Sequence, residues 1–386
     1  MTWEQSTTGK PSAAAASKAS PCWAAETTLQ CVVANHWWRV GSACRTAALG
    51  GQAYYCPGCQ REHVVAHSCR NRHCPHCQGA QAVDWLAQQA AALLPIPYVH
   101  LVFTLPHTLN GLIRQNRTAL FKLLFDAATQ TLLEFGAERL HAQLRITAVL
   151  HTWSQTLLDH YHLHCIVTGG GVAQDPSRWV ATASHYLFPV RALSRRFRGR
   201  YLAGLDALYT TGQLAFHGQL QPLAAPAKFA ALVRKAAQPE WVVYAKRPFA
   251  GPEQVLAYLS RYTHRVALSP RRRLATDGQT GTFAYKDYAD AARPKTMTLS
   301  TPEFVRRFCL HVLPERFVKI RHYGLLGNRQ RQARLAEART LLGAPRAPTP
   351  APVPKVKPLC CPFCQRSDLV RVRTLPPRPV GRLDSS

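Results

Sequence analysis

The apolar and polar positions along the middle of the chain change between the period of a strand and that of a helix. The run YVHLVFTLP (98–106) is rich in β-branched and aromatic residues and predicts a buried strand. The stretch 109–135 has a helical period and predicts an amphipathic helix. LRITAVLHTW (144–153) and HYHLHCIVTG (160–169) predict two strands, close enough in sequence to be antiparallel neighbours. This order allows an α+β core.

The second half of the chain repeats this mixture. RALSRRFRGRYLAGL (191–205) predicts a basic helix, and EWVVYAKRP (240–248) predicts a strand. GPEQVLAYLSRYTHRV (251–266) predicts a helix that opens with Gly-Pro. The runs near 272–286 favour a short hairpin. TPEFVRRFCLHVL (301–313) predicts a Thr-capped helix with proline in its first position.

Composition divides the chain into segments. The first segment is rich in Ala, Ser and Thr, and APRAPTPAPVPKVKP near the other end is typical of an extended linker. AQAVDWLAQQAAALL (80–94) predicts a helix that closes the cysteine-rich part. No internal repeat is evident. The predicted segments are a disordered tail (1–25), a cysteine-rich zinc-binding domain (26–95), a main domain (96–343), a linker (344–358) and a basic tail with a CxxC motif (359–386).

Charge identifies the class of partner. The 386 residues include 48 Lys and Arg against 20 Asp and Glu, so that the formal net charge is +28. Because the basic residues recur along the chain, we expect a field that attracts phosphate backbones and predict nucleic acid as the partner. A basic protein associated with ribosomes is the plainer alternative.

The sequence indicates no secretory signal and no membrane span, since its apolar runs are interrupted by prolines and a histidine. We therefore expect a cytoplasmic, nucleoid-associated protein. The 13 cysteines bunch at CxxC spacings. In a long chain without a signal, this spacing favours metal thiolates over disulfides.

The segment YYCPGCQREHVVAHSCRNRHCPHCQ contains two CxxC motifs. Four thiolates from two such turns satisfy a tetrahedral zinc ion. The sequence therefore predicts one structural zinc bound by Cys56, Cys59, Cys74 and Cys77. The neighbouring residues leave a Cys/His exchange or a second zinc open; these residues are Cys44, His63, His67, Cys69 and His73.

Two further features accompany the cysteines. Arg70 and Arg72, with Arg61, lie between the motifs and would face DNA, unless they only solvate the surface. Cys361 and Cys364 form half of a metal site, whose other ligands would have to come from elsewhere. The order of these motifs does not match that of the zinc deaminases.

His160, His162 and His164 occupy every second position of a predicted strand. Alternate side chains share one face of a strand, so Leu163 faces the core and the imidazoles line the opposite face. Such a face can bind a divalent metal, although an HxH pair also occurs by chance. The third ligand stays open among four candidates: His160, His100, Gln254 and His264.

Tyr258 and Tyr262 are four residues apart, so on a helix they lie on one side, with Arg261 and Arg265 further round. A phenol can attack a phosphodiester when a divalent ion polarises the phosphate. The phosphotyrosine bond conserves the energy of the broken linkage, which suits a chain without a P-loop ATP site. The plainer reading is that both rings pack into the core.

In this combination the chain resembles the two-tyrosine HUH transposases of rolling-circle insertion sequences, those with an N-terminal zinc-binding domain. The matching segments span residues 44 to 329; they are CRTAALGG, SCRNRHCPHCQ, HLVFTLPH, HYHLHCIVTGGG, WVVYAKRPFAGPEQVLAYLSRYTHRVALS and IRHYGLLGNR. The chain has Tyr161 where many relatives have proline, and we expect this ring to point away from the histidine face.

The resemblance implies a fold and a reaction. The fold is a ferredoxin-like HUH nuclease core, in which helices flank a central antiparallel sheet. His162 and His164 would hold Mg²⁺ or Mn²⁺, although histidines also suit zinc. Tyr258 and Tyr262 would be the nucleophiles, with Arg261 and Arg265 on the phosphates. The substrate would be single-stranded or hairpin element ends, with strand separation left to host replication or helicase functions.

Two other readings compete with this one. A zinc-containing DNA-binding regulator without nuclease activity would bury the same histidines and tyrosines in its core. A metallohydrolase is disfavoured because Cys165, Ile166 and Val167 follow His164 where HxHxDH would be needed. The glycines at 169–171 predict a turn after the strand rather than a phosphate-binding loop.

Overall fold

The computed structural model describes most of the chain, and its residues form two compact units. One unit comprises Leu86–Thr263 and Leu313–Pro350, and the other comprises Met1–Trp85, His264–Val312 and Ala351–Ser386. The described residues are 43–71, 74, 77, 85–86, 88–90, 92–182, 187–249, 267–268, 272–277, 279–327, 330–343 and 359–378.

This division differs from the predicted segments. Residues 264–312, expected inside the main domain, group with the cysteine-rich part of the chain, and so does the segment from residue 351 onward. The predicted tail 1–25, the linker 344–358 and the helix 251–266 lie outside the described residues. In the stretch 80–94, the described residues from Trp85 to Ala92 are helical, as predicted.

A six-stranded sheet organises the unit that contains the histidines. Its strands run in the order β11-β4-β5-β3-β7, with β6 paired to the far end of β5. Every neighbouring pair is antiparallel. The strands are β3 (Tyr98–Thr104), β4 (Ala142–Trp153), β5 (Asp159–Ala173), β6 (Trp179–Ala181), β7 (Val243–Phe249) and β11 (Ile320–Gly324). The predicted strands of this unit and the antiparallel pairing of two of them are therefore confirmed.

Helices cover one face of this sheet. They are α1 (Asn110–Gln115), α2 (Arg117–Arg139), α3 (Val190–Thr210) and α4 (Pro226–Ala237). A further helix of this unit, α6 (Arg331–Leu341), buries Leu335 and Ala338 outside this core. In α3 the buried side chains recur at every fourth position, Leu193, Phe197, Tyr201 and Leu205, which gives the helix one apolar side. This side packs into the same core as Phe121 and Phe125 of α2. Short 3₁₀ turns occur at His107–Leu109 and Gly218–Ala224.

The alternation of side chains decides which face of the sheet is apolar. Leu101 and Phe103 of β3, Leu163 and Val167 of β5, and Leu150 of β4 all belong to the core under the helices. Their sequence neighbours point to the opposite face because successive side chains in a strand alternate. The histidines of β3, β4 and β5 occupy that opposite face.

The three glycines 169–171 lie inside β5 instead of forming the predicted turn. Here β5 is paired with β4 on one side and β6 on the other, and the backbones approach closely. A Cβ on Gly171 would collide with the backbone oxygen of Gln143, and one on Gly170 would collide with that of Val180. Gly170 also has a φ of +141°. The glycines are needed for strand contact, not for chain reversal.

The second unit contains two three-stranded antiparallel sheets. In the first sheet the order is β12-β1-β2, so that a strand near residue 370 pairs with one near residue 51. In the second sheet the order is β10-β9-β8. The strands are β1 (Gly51–Cys56), β2 (Arg61–Ala66), β8 (Arg273–Thr276), β9 (Thr280–Asp287), β10 (Arg293–Ser300) and β12 (Val370–Leu375), and a 3₁₀ turn covers Ala47–Leu49.

Helix α5 (Thr301–Cys309) follows β10 directly. The prediction that Thr301 caps this helix is wrong, because Ser300 is the N-cap residue and its side chain makes no capping hydrogen bond. The proline at the start of the helix is confirmed. The hairpin predicted near 272–286 is confirmed by β8 and β9, to which β10 adds a third strand. Within the described part of the chain, no helix has the length and apolar character required to cross a bilayer.

Candidate functional site

Three histidines meet on the face of the sheet opposite the apolar core. His162 and His164 lie on β5, and His151 on β4 is the direct cross-strand partner of His162. One ring nitrogen from each of the three comes within 4.8 Å of the others. Three imidazoles at this separation can share one metal ion. The described residues therefore contain a candidate metal centre at the middle of the sheet.

Hydrogen bonds at Nδ1 orient two of these rings. Nδ1–H of His162 donates to the carbonyl oxygen of His160 at 2.8 Å. Nδ1 of His164 lies 2.8 Å from Nε2 of His100, and these two rings stack with an interplanar angle of 6°. A metal-binding imidazole is usually fixed in this way through its other nitrogen. We infer that Nε2 of each ring is the atom that would bind a metal.

Burial keeps these imidazoles neutral. It lowers the pKa of His162 to about 3, with a smaller contribution from the proximity of His160. Burial and the neighbouring His151 hold the pKa of His164 well below its ordinary value of 6.5. His100 is buried beside Lys246, and its pKa falls to about 4. A neutral imidazole has the lone pair that a metal needs, so the electrostatics suit a metal centre near neutral pH.

The third histidine is one that the sequence did not single out. Of the predicted candidates, His160 lies beside His107, with 3.4 Å between Nδ1 and Nε2, and His100 lies behind His164. Gln254 and His264 fall outside the described residues. The signal for His151 was present in LRITAVLHTW, whose alternation places His151 and Leu150 on opposite faces.

Other predicted positions of the site have different outcomes. Tyr161 and Leu163 are buried in the core under the helices, so the expectation that both point away from the histidine face is confirmed. Arg70 is exposed and has a positive φ of 50°. The predicted nucleophiles and their neighbours lie outside the described residues and stay predictions, as do two residues of the cysteine-rich part; these are Tyr258, Tyr262, Arg261, Arg265, Arg72 and His73.

The cysteines form two groups instead of the single predicted site. Cys56 and Cys59 do not join Cys74 and Cys77. The first group contains Cys44, Cys69, Cys74 and Cys77, and the second contains Cys56, Cys59, Cys361 and Cys364. Cys69, predicted as a possible additional ligand, is thus in the first group. Motif order along the chain misled the assignment, because strand pairing turns the first CxxC away from the second.

The first group has the geometry of a zinc tetrathiolate. The sulfur of Cys77 lies 3.5 Å from that of Cys44 and 3.6 Å from that of Cys69. A tetrahedral zinc with Zn–S bonds of about 2.3 Å requires sulfur separations of about 3.8 Å. Backbone N–H groups of Cys69 and Asn71 point to sulfurs at 3.5 Å. The donor set therefore fits a structural zinc, in which the protein fills all four positions.

Family models match both the cysteine-rich part of the chain and the part that contains the three histidines. A family model described as "Transposase zinc-binding domain" matches residues 18–105, and one described as "Putative transposase" matches residues 146–334. No solved structure matches the chain.

Two known proteins are similar over most of their length. "Putative transposase y4qJ" of Sinorhizobium fredii is 46% identical over 315 residues, which cover 81% of this chain and 79% of that protein. "Transposase for insertion sequence element IS801" of Pseudomonas savastanoi pv. phaseolicola is 31% identical over 322 residues, or 81% of this chain and 74% of that protein. The chain therefore belongs to the IS91 family of transposases, DNA-binding enzymes that cut and transfer nucleic acid.

Proposed function

We propose that this transposase cleaves one DNA strand in a metal-dependent reaction and transfers it through a 5'-phosphotyrosine intermediate, in rolling-circle transposition. The observation that carries the proposal is the group of His151, His162 and His164 on the face of the sheet opposite the apolar core. This group adds a third imidazole to the two that the resemblance to HUH transposases implies. We assign His151 as the third ligand.

The connectivity of the sheet supports an HUH core. The elements follow the order β3-α2-β4-β5-α3-β7, and the four strands lie in the spatial order β4-β5-β3-β7. This is the βαββαβ pattern of the ferredoxin-like fold. In this arrangement β5 and β3 are the two central strands, and β5 carries both His162 and His164. The metal ligands would thus lie on the most constrained part of the sheet.

The chemistry assigns separate tasks to the side chains. A divalent ion, when bound, would polarise the scissile phosphate and neutralise charge that develops on it. The resemblance implies Mg²⁺ or Mn²⁺, and the three imidazoles also suit zinc. His151, His162 and His164 hold the ion as neutral ligands, and His100 and the carbonyl of His160 fix two of the rings.

Tyr258 and Tyr262 are the proposed nucleophiles. The phenol oxygen of one tyrosine forms a bond to phosphorus after losing its proton, and the bond from phosphorus to the 3'-oxygen breaks. The 3'-oxygen takes up a proton and leaves as a free 3'-OH. A second DNA 3'-OH can then attack the phosphotyrosine, so that the strand is rejoined without ATP. Arg261 and Arg265 would bind the phosphates.

The proposed substrate is single-stranded or hairpin DNA at the ends of the element. With a net charge of +28, the protein attracts such backbones whatever their sequence. Strand separation would come from host replication or helicase functions, and we expect the protein to act in the cytoplasm at the nucleoid. The first cysteine group would hold the structural zinc of a DNA-binding module whose exposed Arg70 faces the phosphates.

The test is an assay for a covalent adduct. Labelled single-stranded DNA with the terminus of the element is incubated with the protein, with and without Mn²⁺, and resolved on a denaturing gel. We expect a metal-dependent adduct that is lost in the double variant Tyr258→Phe/Tyr262→Phe. In His151→Ala the adduct yield should fall at least about 100-fold, because the metal loses one of its three ligands. The single tyrosine variants identify the tyrosine that attacks first.

Controls separate loss of chemistry from loss of fold. His217→Ala changes an exposed histidine far from the group in sequence and should retain the full adduct yield. All variants should bind the same DNA with unchanged, salt-sensitive affinity. If the wild-type protein binds this DNA tightly but forms no adduct with Mn²⁺, Mg²⁺ or Zn²⁺, the strand-transfer proposal fails and a zinc-containing DNA-binding regulator takes its place.

A further inference from the structure

The second cysteine group joins two parts of the chain that are far apart in sequence. We propose that Cys56, Cys59, Cys361 and Cys364 bind a second structural zinc ion, and that this ion fastens the segment after residue 359 to the hairpin of β1 and β2. The result would be one zinc ribbon assembled from two distant segments. The family model of the zinc-binding domain ends at residue 105 and contains only half of these ligands.

Sulfur distances favour a shared metal ion over a pair of disulfide bonds. The sulfur of Cys56 lies 3.5 Å from that of Cys364, and the sulfur of Cys59 lies 3.6 Å from that of Cys361. These separations are far longer than a disulfide bond of about 2.05 Å. They are close to the roughly 3.8 Å between sulfurs around a tetrahedral zinc. They also equal the separations found in the first group.

The two CxxC turns of this site have nearly the same sequence and share two backbone features. CPGCQR (56–61) and CPFCQR (361–366) differ in one position. In both turns, the residue after the second cysteine has a left-handed backbone, with φ of 57° at Gln60 and 62° at Gln365. The N–H of Gln60 donates to the carbonyl of Cys56 at 2.8 Å, and that of Gln365 donates to the carbonyl of Cys361 at 2.9 Å. Each turn thus aims two sulfurs at one point.

The two turns also cover each other reciprocally. The guanidinium of Arg61, from the first turn, lies 5.0 Å above the ring of Phe363 in the second. The aliphatic part of Arg366, from the second turn, occupies the space over Gly58 in the first, where a Cβ would collide with it. At the position that differs between the two turns, Gly58 leaves room for the Arg366 side chain, and Phe363 provides the ring that Arg61 covers.

Strand pairing holds the same two segments in register. Beyond its turn, the C-terminal segment continues into β12, which pairs with β1 from Gly51↔Leu375 to Tyr55↔Val370. An ion pair between Arg373 and Glu62 at 3.0 Å is exposed and contributes little. A short edge strand with exposed side chains is marginal by itself. The metal would supply most of the energy that fixes it.

Zinc content measures the proposal directly. All chains carry Cys360→Ser, so that the thiol next to the site cannot replace a ligand, and His162→Ala/His164→Ala, so that the histidine group cannot add a zinc ion to the count. Proteins purified in reductant are analysed by inductively coupled plasma mass spectrometry. We expect two zinc ions per chain in this control, one in Cys361→Ser/Cys364→Ser, and one in Cys44→Ser/Cys69→Ser, since each pair belongs to a different group. One ion in the control, or two in the Cys361→Ser/Cys364→Ser variant, would overturn the proposal.

A second experiment does not require a mutant site to fold. A protease site is inserted within residues 344–358 of the otherwise complete chain, and the purified protein is cut and passed through a sizing column. We expect the C-terminal fragment to elute with the rest of the protein in buffer that contains zinc. After a chelator has removed the zinc, we expect the fragment to elute separately. Separation before chelation, or co-elution that persists after both ions are removed, would show that no metal fastens this segment.

Discussion

At the scale of residues, the candidate metal centre depends on side chains that would not touch the ion. Nε2 of His100 lies 2.8 Å from Nδ1 of His164 and can accept a hydrogen bond from Nδ1–H. This bond fixes the tautomer of His164 that leaves Nε2 free to bind a metal. His100 is itself buried, and its pKa of about 4 leaves it neutral and able to accept a hydrogen bond. His100 is thus a positioning residue for His164.

We predict that His100→Leu weakens metal binding without removing the reaction. The Mn²⁺ concentration for half-maximal adduct should rise by roughly 10- to 100-fold, because the His164 ring loses its partner. The adduct yield at saturating Mn²⁺ should recover to most of the wild-type value. The measurement is a Mn²⁺ titration of the adduct assay, with His217→Leu as the matched control. An unchanged half-saturation point would contradict a positioning role.

We also predict a strong conformational demand at Gly170. Gly170→Ala should lower the free energy of unfolding by about 2–5 kcal/mol, because its φ of +141° is strained for alanine and its Cβ would meet the Val180 backbone. Gly199→Ala is the control. That position is exposed in α3 with open space around it, so alanine should stabilise the protein by about 0.5–1 kcal/mol. Urea denaturation measures the free energy of unfolding of both variants. Similar changes in Gly170→Ala and Gly199→Ala would refute the prediction.

The sequence could predict two of the three histidines but not the third. Alternation within β5 is enough to place His162 and His164 on one face. Placing His151 beside them requires the register between β4 and β5, where His151 pairs with His162. A shift of one residue would turn His151 into the core, and register is set by packing that a single run of letters does not reveal.

At the scale of elements, the strong runs were predictable. The strands β3, β4, β5 and β7 and the helix α3 form where period and composition indicate them. The single helix predicted over 109–135 is instead two helices, α1 and α2, which are divided at Asn116, and α2 continues to Arg139. The glycines of β5 misled the prediction because glycine is typical both of turns and of close strand contact. The sequence could not predict which CxxC motifs share a metal site, for a different reason. The repeats CPGCQR and CPFCQR are short and lie at opposite ends of the chain, so nothing local connects them.

Helix α5 carries the charge pattern that gives a pH dependence. Glu303 accepts hydrogen bonds from Arg306 at 2.6 Å and from Arg307 at 2.6 Å. Arg306 first, then Arg307, lowers the pKa of this carboxyl from about 4.5 to about 2. Because the folded pKa lies below the unfolded one, the stabilisation is complete above about pH 4.5 and is lost as the pH falls towards 2.

We predict that Glu303→Gln lowers the free energy of unfolding by about 1 kcal/mol at pH 7, a value discounted because the carboxylate is 31% exposed. The difference from wild type should shrink as the pH falls from 4.5 to 3. Urea denaturation at pH 7 and pH 3 measures both points. Glu315→Gln, at an exposed ion pair, should change stability by less than about 0.5 kcal/mol. An equal loss at both pH values would contradict the assigned cause.

At the scale of the whole molecule, charge governs the encounter with DNA. Each phosphate that a cation neutralises releases counterions, so a protein with a net charge of +28 should bind single strands with a steep salt dependence. We predict that affinity falls by roughly two to three orders of magnitude between about 50 and 200 mM salt if about six phosphates are contacted. Fluorescence anisotropy measures this slope. Sucrose of equal osmolality should leave affinity unchanged, whereas a flat response to salt would show that the charge is not engaged.

The pairing of β1 with β12 has a consequence for the order of folding. The cysteines that meet there are separated by 302 and 308 residues along the chain. Bringing such distant segments together costs loop-closure entropy before any contact repays it, and contacts of this span slow folding. The hairpin of β1 and β2 can form early, yet its Cys56 and Cys59 thiols lack their partner sulfurs until the distant segment arrives. For that interval, the newly made protein is most vulnerable to oxidation and to exchange of segments between neighbouring chains.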